Sequence, residues 1–244
     1  MNGENPKGEE SMDDLDPARR AAFAQDLLHV LAAHCPGSRA ELKGSLARGT
    51  ADAYSDIDIA WTVPDDRFEV CVAGARGVLE AVRPLDSLRT DPELRNSRKR
   101  RLLFAAFQGL PLFWRVDLEI RASSVAHLAD HDQDDPAASG DDWSRPASAL
   151  ANAVAATKAV LRGQPQAAQR LLERGFRRID APDGVTGQWL ADIGHLAHTA
   201  ADREPGLRPL ADRVVRLAEN HLAGTDEEEP RRRDGRRRRT RPGR

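Results

Sequence analysis

Two aspartates separated by one residue are the first feature of this sequence with a clear chemical use. Asp56 and Asp58 lie in the run Asp-Ile-Asp-Ile. Because alternate residues of a β-strand face the same side, the two carboxylates project together and the isoleucines face the opposite side. Neighbouring carboxylates repel each other unless a cation lies between them, and magnesium prefers oxygen ligands. The pair therefore predicts a magnesium site suited to phosphoryl chemistry, which uses two cations about 3.5–4 Å apart.

A glycine–serine pair precedes the aspartates by a ten-residue spacer. Gly44 permits a close approach of the backbone to a phosphate, and the Ser45 hydroxyl and nearby amides can donate hydrogen bonds to it. Lys43 and Arg48 are close enough in sequence to add positive charge. The segment is therefore a candidate phosphate-binding element beside the candidate metal ligands.

A third carboxylate is expected on a neighbouring strand. The run Val-Asp-Leu-Glu-Ile contains Asp117 and Glu119, which share one face while the apolar residues point away. Either carboxylate could complete the metal site and take a proton from an acceptor. We favour Asp117 and keep Glu119 as the alternative, since strand geometry alone does not separate them.

The combined pattern resembles the DNA polymerase β-type nucleotidyltransferase superfamily. It consists of Gly-Ser, a ten-residue spacer, Asp-Ile-Asp and a later strand in which an aspartate is flanked by hydrophobic residues. The stretch 44–61, GSLARGTADAYSDIDIAW, resembles the bacterial small-protein branch of that superfamily. This branch includes aminoglycoside nucleotidyltransferases and the minimal nucleotidyltransferases of toxin–antitoxin pairs.

The resemblance implies a reaction and a set of roles. A nucleoside monophosphate, expected to be AMP, would pass from a nucleoside triphosphate to an acceptor hydroxyl with two magnesium ions. Gly44 and Ser45 would hold the triphosphate, Asp56 and Asp58 would bind both metals, and Asp117 would bind the catalytic one.

A basic residue on the first C-terminal helix often contacts the triphosphate in this superfamily. Lys158 is the natural candidate, against the alternative of an exposed lysine on a solvated face. Some members place a catalytic glutamate on the same helix. Residues 146–162 contain no acidic residue, so that role is not transferred to this chain.

The elements that must position these residues predict an α+β fold, a small mixed sheet followed by a C-terminal helical bundle. A loop holding Gly44, Ser45 and Gly49 is expected between the first two strands, and a β-hairpin over the last two. Helices are predicted at 16–34, 66–82, 146–162, 166–174, 186–201 and 207–222, and strands at 39–43, 56–63, 84–89, 101–108 and 112–121.

The chain is expected to contain two folded domains between disordered ends. Residues 16–125 form the predicted catalytic domain and 143–223 the helical domain. Residues 1–15 and the Arg-rich tail at 224–244 have almost no apolar side chains to bury, so they are predicted to be disordered.

Composition favours a cytoplasmic protein. No run approaches the roughly 18 apolar residues of a membrane span. The polar, acidic start lacks the basic and apolar regions of a signal peptide. Cys35 and Cys71 are too few for a disulfide framework or the usual zinc site.

The charge distribution suggests several acceptors without selecting one. Residues 231–244 contain nine Arg and one Asp, which leaves the rest of the chain with a net charge of −10. The acidic body and the Asp-rich segment 130–142 favour a cationic small molecule such as an aminoglycoside. The Arg-rich tail could instead contact nucleic acid weakly and favour a macromolecular acceptor, either RNA or a protein hydroxyl. A third alternative is a non-catalytic, antitoxin-like nucleotide-binding protein.

Overall fold

The computed structural model describes residues 15–181 and 185–223. The chain separates between Ser144 and Arg145 into two compact units. The disorder predicted for the two ends lies outside the described residues, except for Leu15, which is buried. The predicted domain limits remain predictions.

The first unit is built on a five-stranded mixed sheet with the order β1-β2-β5-β4-β3. Strands β2 and β5 are parallel, whereas the β1–β2, β4–β5 and β3–β4 pairs are antiparallel. The α+β prediction with a mixed sheet is therefore confirmed. The strands are β1 Arg39–Leu42, β2 Ile57–Val63, β3 Leu85–Thr90, β4 Arg100–Phe107 and β5 Val116–Ala122.

Two long helices of this unit, α1 Pro17–His34 and α3 Phe68–Val82, cover the apolar side of the sheet. Helix α1 begins as its sequence predicts: the Asp16 carboxylate accepts a hydrogen bond from the Ala18 amide, and proline follows directly. Phe23 of α1 is buried and meets Phe107 of β4 edge to face, with ring centroids 4.9 Å apart. Burial of such apolar stripes supplies most of the stabilisation of a small sheet.

Two local predictions were wrong. The expected loop after β1 contains a short helix, α2 Gly44–Arg48, which ends at Gly49 in the left-handed conformation. The expected strand start at 112 is instead a 3₁₀ turn over Leu112–Trp114, and β5 begins only at Val116. Pro111 starts this turn, and all three of its residues are buried, so packing overrides the strand-like composition.

The second unit is helical and contains α4 Arg145–Leu161, α5 Pro165–Arg178, α6 Trp189–Arg203 and α7 Arg208–Leu222. Helix α4 contacts each of the other three. Small residues allow close helix approach: a Cβ on Gly175 of α5 would lie 2.6 Å from Leu196 Cδ2 of α6. Among the described residues, no helix combines the length and apolarity needed to cross a membrane.

Candidate active site

The parallel pairing of β2 with β5 brings two of the predicted carboxylates side by side. Asp58 and Asp117 are register partners. The preceding pair, Ile57 with Val116, and the following pair, Ile59 with Leu118, are buried on the opposite face. Because side chains alternate along a strand, both carboxylates face away from the helix-covered core. Asp56 immediately precedes β2 and is half-buried.

The surroundings of Asp58, burial first among them, do not favour its ionised form. Burial and the negative charge of Asp117 raise the pKa of Asp58, although Arg115, Arg48 and Lys43 act in the opposite direction. A metal cation bound beside the two carboxylates would relieve the repulsion between Asp58 and Asp117. The pair therefore has the electrostatic character of a cation site.

Gly44 lies directly against Asp58. A Cβ added to Gly44 would lie 2.0 Å from Asp58 Oδ2, and the residue has a φ of +58°. The adjacent Lys43 amide donates a hydrogen bond of 2.8 Å to the Asp58 carbonyl oxygen. Glycine is thus required here for both its backbone conformation and its missing side chain. Sequence reasoning had assigned it only to phosphate binding.

Arg115 connects the acidic residues to each other and was not predicted as a site residue. Its Nε and Nη2 atoms donate to both oxygens of Asp117, at 2.6 and 2.7 Å. Nη2 also lies 3.5 Å from Asp56 Oδ2, and the guanidinium lies 4.9 Å from the centroid of the Phe104 ring. The available signal was an arginine two positions before a strand aspartate, a spacing that places both side chains on one face.

Glu119, the alternative third carboxylate, has three cationic partners. It accepts hydrogen bonds from Arg100 Nε at 2.6 Å, Arg121 Nη2 at 2.7 Å and Lys43 Nζ at 3.2 Å. Burial by itself would raise the pKa of Glu119, but the hydrogen bonds and charges of Arg121 and Arg100 outweigh it and lower the pKa. Its contacts are those of a buried ion cluster.

One known protein family matches part of the chain, and the match includes two of the site carboxylates. Residues 27–107 match the family described as "Nucleotidyltransferase domain". This segment is similar to a nucleotidyltransferase domain. The match is consistent with the DNA polymerase β-type superfamily and supports general nucleotidyl transfer; the family generally uses nucleoside triphosphates and divalent metals. The matched segment includes Asp56 and Asp58 and ends before Asp117. No curated protein matches the chain.

The turn before Asp56 is held by a buried arginine, Arg20, that sequence reasoning missed. Nη1 of Arg20, on α1, donates to the carbonyl oxygens of Asp52 at 2.6 Å, Ser55 at 3.2 Å and Ala53 at 3.4 Å. Three hydrogen bonds to one short turn restrict the backbone of that turn. Arg20 therefore helps to fix the position of Asp56, which follows it. Hydropathy patterning gives no signal for such a residue, because it treats arginine as a surface residue.

The other predicted binding residues lie in both units. Ser45 and Arg48 are on α2, and the charge of Arg48 reaches Asp58. Lys158 is on α4 of the second unit and is only 7% exposed, so the alternative of a solvated surface lysine is wrong. Its contact with a triphosphate stays a prediction.

The donor set fits a hard divalent cation in its chemistry, since Asp56, Asp58 and Asp117 offer only carboxylate oxygens. Within the described part of the chain, no three His, Cys, Asp or Glu side chains are gathered into a metal-binding cluster. Both Asp117 oxygens are instead bound by Arg115. A cation that bound Asp117 would therefore share this carboxylate with Arg115 or displace the arginine from it.

Proposed function

We propose that the chain transfers AMP from ATP to an acceptor hydroxyl in a magnesium-dependent reaction. The observation that carries the proposal is the register pairing of Asp58 with Asp117 on adjacent parallel strands, with Gly44 against Asp58. Asp56, Asp58 and Asp117 would hold two magnesium ions. Gly44, Ser45 and Arg48 would bind the triphosphate.

The proposed reaction is an in-line displacement at the α-phosphorus. The acceptor oxygen forms a bond to the α-phosphorus while the bond to the bridging oxygen breaks and pyrophosphate leaves. The hydroxyl proton passes to the carboxylate of Asp117, acting as general base. Magnesium would supply charge neutralisation on the phosphate oxygens. Gly44 keeps the backbone close to Asp58, so phosphate binding and metal binding are adjacent.

The deciding experiment is calorimetric binding of a non-hydrolysable ATP analogue with and without magnesium. We expect binding to wild type only when magnesium is present, and none to an Asp56→Asn/Asp58→Asn double variant. Asp26→Asn, which removes an exposed carboxylate from α1, is the control and should bind like wild type. Magnesium-independent binding, or equal binding by the double variant, would argue against the proposed metal–triphosphate site.

For the acceptor, a cationic small molecule such as an aminoglycoside is our first candidate. The acidic body favours it, although several Asp-rich segment carboxylates already have partners: Asp132 accepts from Ser97, and Asp142 lies 2.6 Å from Arg95. RNA is the second candidate, favoured by the nine arginines at 231–244. Transfer of labelled AMP to an aminoglycoside panel and to RNA, with and without residues 231–244, separates the two.

Gly44→Ala is expected to lower AMP transfer by about 100-fold or more. The new Cβ cannot coexist with Asp58 Oδ2 at 2.0 Å, so the carboxylate or the backbone must move. A displacement of about 1 Å at a reacting centre can cost on the order of 100-fold in rate. Steady-state kinetics measure the loss of AMP transfer, and the thermal unfolding midpoint measures the effect of the displaced carboxylate or backbone on stability.

The matched control is Gly49→Ala. Gly49 also has a positive φ, +67°, but a Cβ there would meet nothing within 4 Å. It therefore reproduces the backbone strain without the contact with Asp58. If both variants lost activity equally, the effect would come from α2 conformation and not from Asp58.

A further inference from the structure

The guanidinium of Arg115 binds the same carboxylates that the proposed function assigns to the metal. It donates two parallel hydrogen bonds to Asp117 and lies 3.5 Å from Asp56, and its charge acts on Asp58. A bidentate arginine uses both oxygens of its partner. Because the guanidinium and a divalent cation repel each other at this distance, we expect them to compete for Asp117.

The net charge of the site differs between the ligand-free protein and the protein with a cation bound. The three carboxylates and the Arg115 guanidinium together carry a net charge of −2, and the charges of Lys43 and Arg48 also act on Asp58. One divalent cation in addition would bring the group to neutrality. Once the cation binds Asp117, the arginine has lost its bidentate anion and needs another one, since an unpaired half-buried charge is costly.

The surroundings of Arg115 keep it at the site after such an exchange. Its guanidinium packs over the Phe104 ring at 4.9 Å. Phe104 is on β4 and is the register partner of Asp117, so the aromatic contact lies in the same row as the carboxylate. A guanidinium in this position matches the bidentate geometry of a phosphate as well as that of a carboxylate. The incoming triphosphate is the anion that the proposed function supplies.

We propose that Arg115 couples metal binding to nucleotide binding. Without ligands it holds Asp117 and Asp56, and it weakens binding of the cation alone. When the metal and the triphosphate enter together, it leaves Asp117 and pairs with a phosphate oxygen. Arg115 thereby becomes a positioning residue for Asp117 in one state and a phosphate-binding residue in the other. This inference rests on the proposed function.

The test measures Mn²⁺ affinity by electron paramagnetic resonance, with and without a non-hydrolysable ATP analogue. Arg115→Met removes the charge but keeps an unbranched stem for Phe104. We expect this variant to bind Mn²⁺ alone at least about fivefold more tightly than wild type. We also expect the analogue to increase Mn²⁺ affinity in wild type and to increase it much less in the variant.

A control variant and a second substitution of Arg115 complete the test. Arg39→Met removes an arginine that is 78% exposed and pairs with Glu41 on β1, and it should bind Mn²⁺ like wild type. Arg115→Lys keeps the positive charge but cannot form the two parallel hydrogen bonds. Its Mn²⁺ affinity is measured in place of that of Arg115→Met if the latter does not fold. It should bind Mn²⁺ more tightly than wild type, by a smaller factor.

The outcomes separate this inference from the proposed function. If wild type binds Mn²⁺ in neither condition, the proposed function fails and the coupling fails with it. If wild type binds Mn²⁺ and the analogue but Arg115→Met and Arg115→Lys have unchanged affinities, only the coupling is overturned. Weaker Mn²⁺ binding by Arg115→Met would also overturn it, because the arginine would then be supporting the metal ligands.

Discussion

Asp58→Asn is expected to reduce AMP transfer by at least about 1000-fold and, at the same time, to make the ligand-free protein more stable. Metal-bound charge stabilisation contributes several kcal/mol to a phosphoryl transition state, and each ~1.4 kcal/mol is a factor of ten in rate. The amide keeps the size of the side chain but removes the charge that the proposed metal site requires. Transfer of labelled AMP measures the loss.

The gain in stability follows from the environment of Asp58 without metal. Burial and Asp117 raise the pKa of Asp58, so its ionised form is disfavoured in the folded protein. Replacing the charge should raise the free energy of unfolding by about 1 kcal/mol, a size typical of single stabilising substitutions. Urea unfolding with a chelator present measures it, with Asp26→Asn as control. A less stable Asp58→Asn protein would mean that the carboxylate is satisfied by its cationic neighbours.

Glu119→Gln is expected to have the largest effect on stability, a loss of about 3–5 kcal/mol at neutral pH. The carboxylate is 10% exposed, and Arg100 and Arg121, at 12% and 9% exposed, would lose their shared counter-ion. Lys43 is 44% exposed, so water replaces its contact with Glu119 at little cost. Urea unfolding of wild type and variant provides the comparison.

The contribution of Glu119 to stability should fall as the pH is lowered. The pKa of Glu119 is lowered in the folded protein, so the folded state holds the ionised form more strongly than the unfolded chain does. Its contribution to stability is therefore present above the ordinary value of 4.5 and is lost as the pH falls below it towards the folded pKa. The difference between wild type and Glu119→Gln should shrink over that range.

The same variant distinguishes the two candidates for the third carboxylate. Asp117→Asn should abolish transfer with a small change in stability, because Arg115 is only half-buried. Glu119→Gln should reduce stability, while the folded fraction retains nucleotide-dependent metal binding. The reverse pattern, an unchanged unfolding curve for Glu119→Gln with complete loss of metal binding, would make Glu119 the metal ligand.

Several features of the site could be predicted from the sequence because they depend on neighbouring residues. The alternation around Asp56, Asp58 and Asp117 depends only on the two-residue period of a strand. The start of α1 was likewise predictable, because a capping aspartate and a following proline act within one turn.

The remaining features depend on contacts between distant segments. Which strands flank β2 is decided by burial across the whole sheet, and it is the parallel β2–β5 pairing that brings Asp58 beside Asp117. The expected loop after β1 is a helix over Gly44–Arg48, and its first residue packs against Asp58 of the next strand. Composition had no means of indicating either contact.

The sequence by itself determined the α+β class with a mixed sheet, and it predicted the type of chemistry from three carboxylates on strand faces and a glycine–serine segment. The tertiary structure decided which groups surround those carboxylates. It brought Arg115 to Asp117 and Arg20 to the turn before Asp56, and it enclosed Glu119 among three cations. The physical reason is that periodicity is a property of consecutive residues, whereas the charge balance of a site depends on which strands and helices pack together.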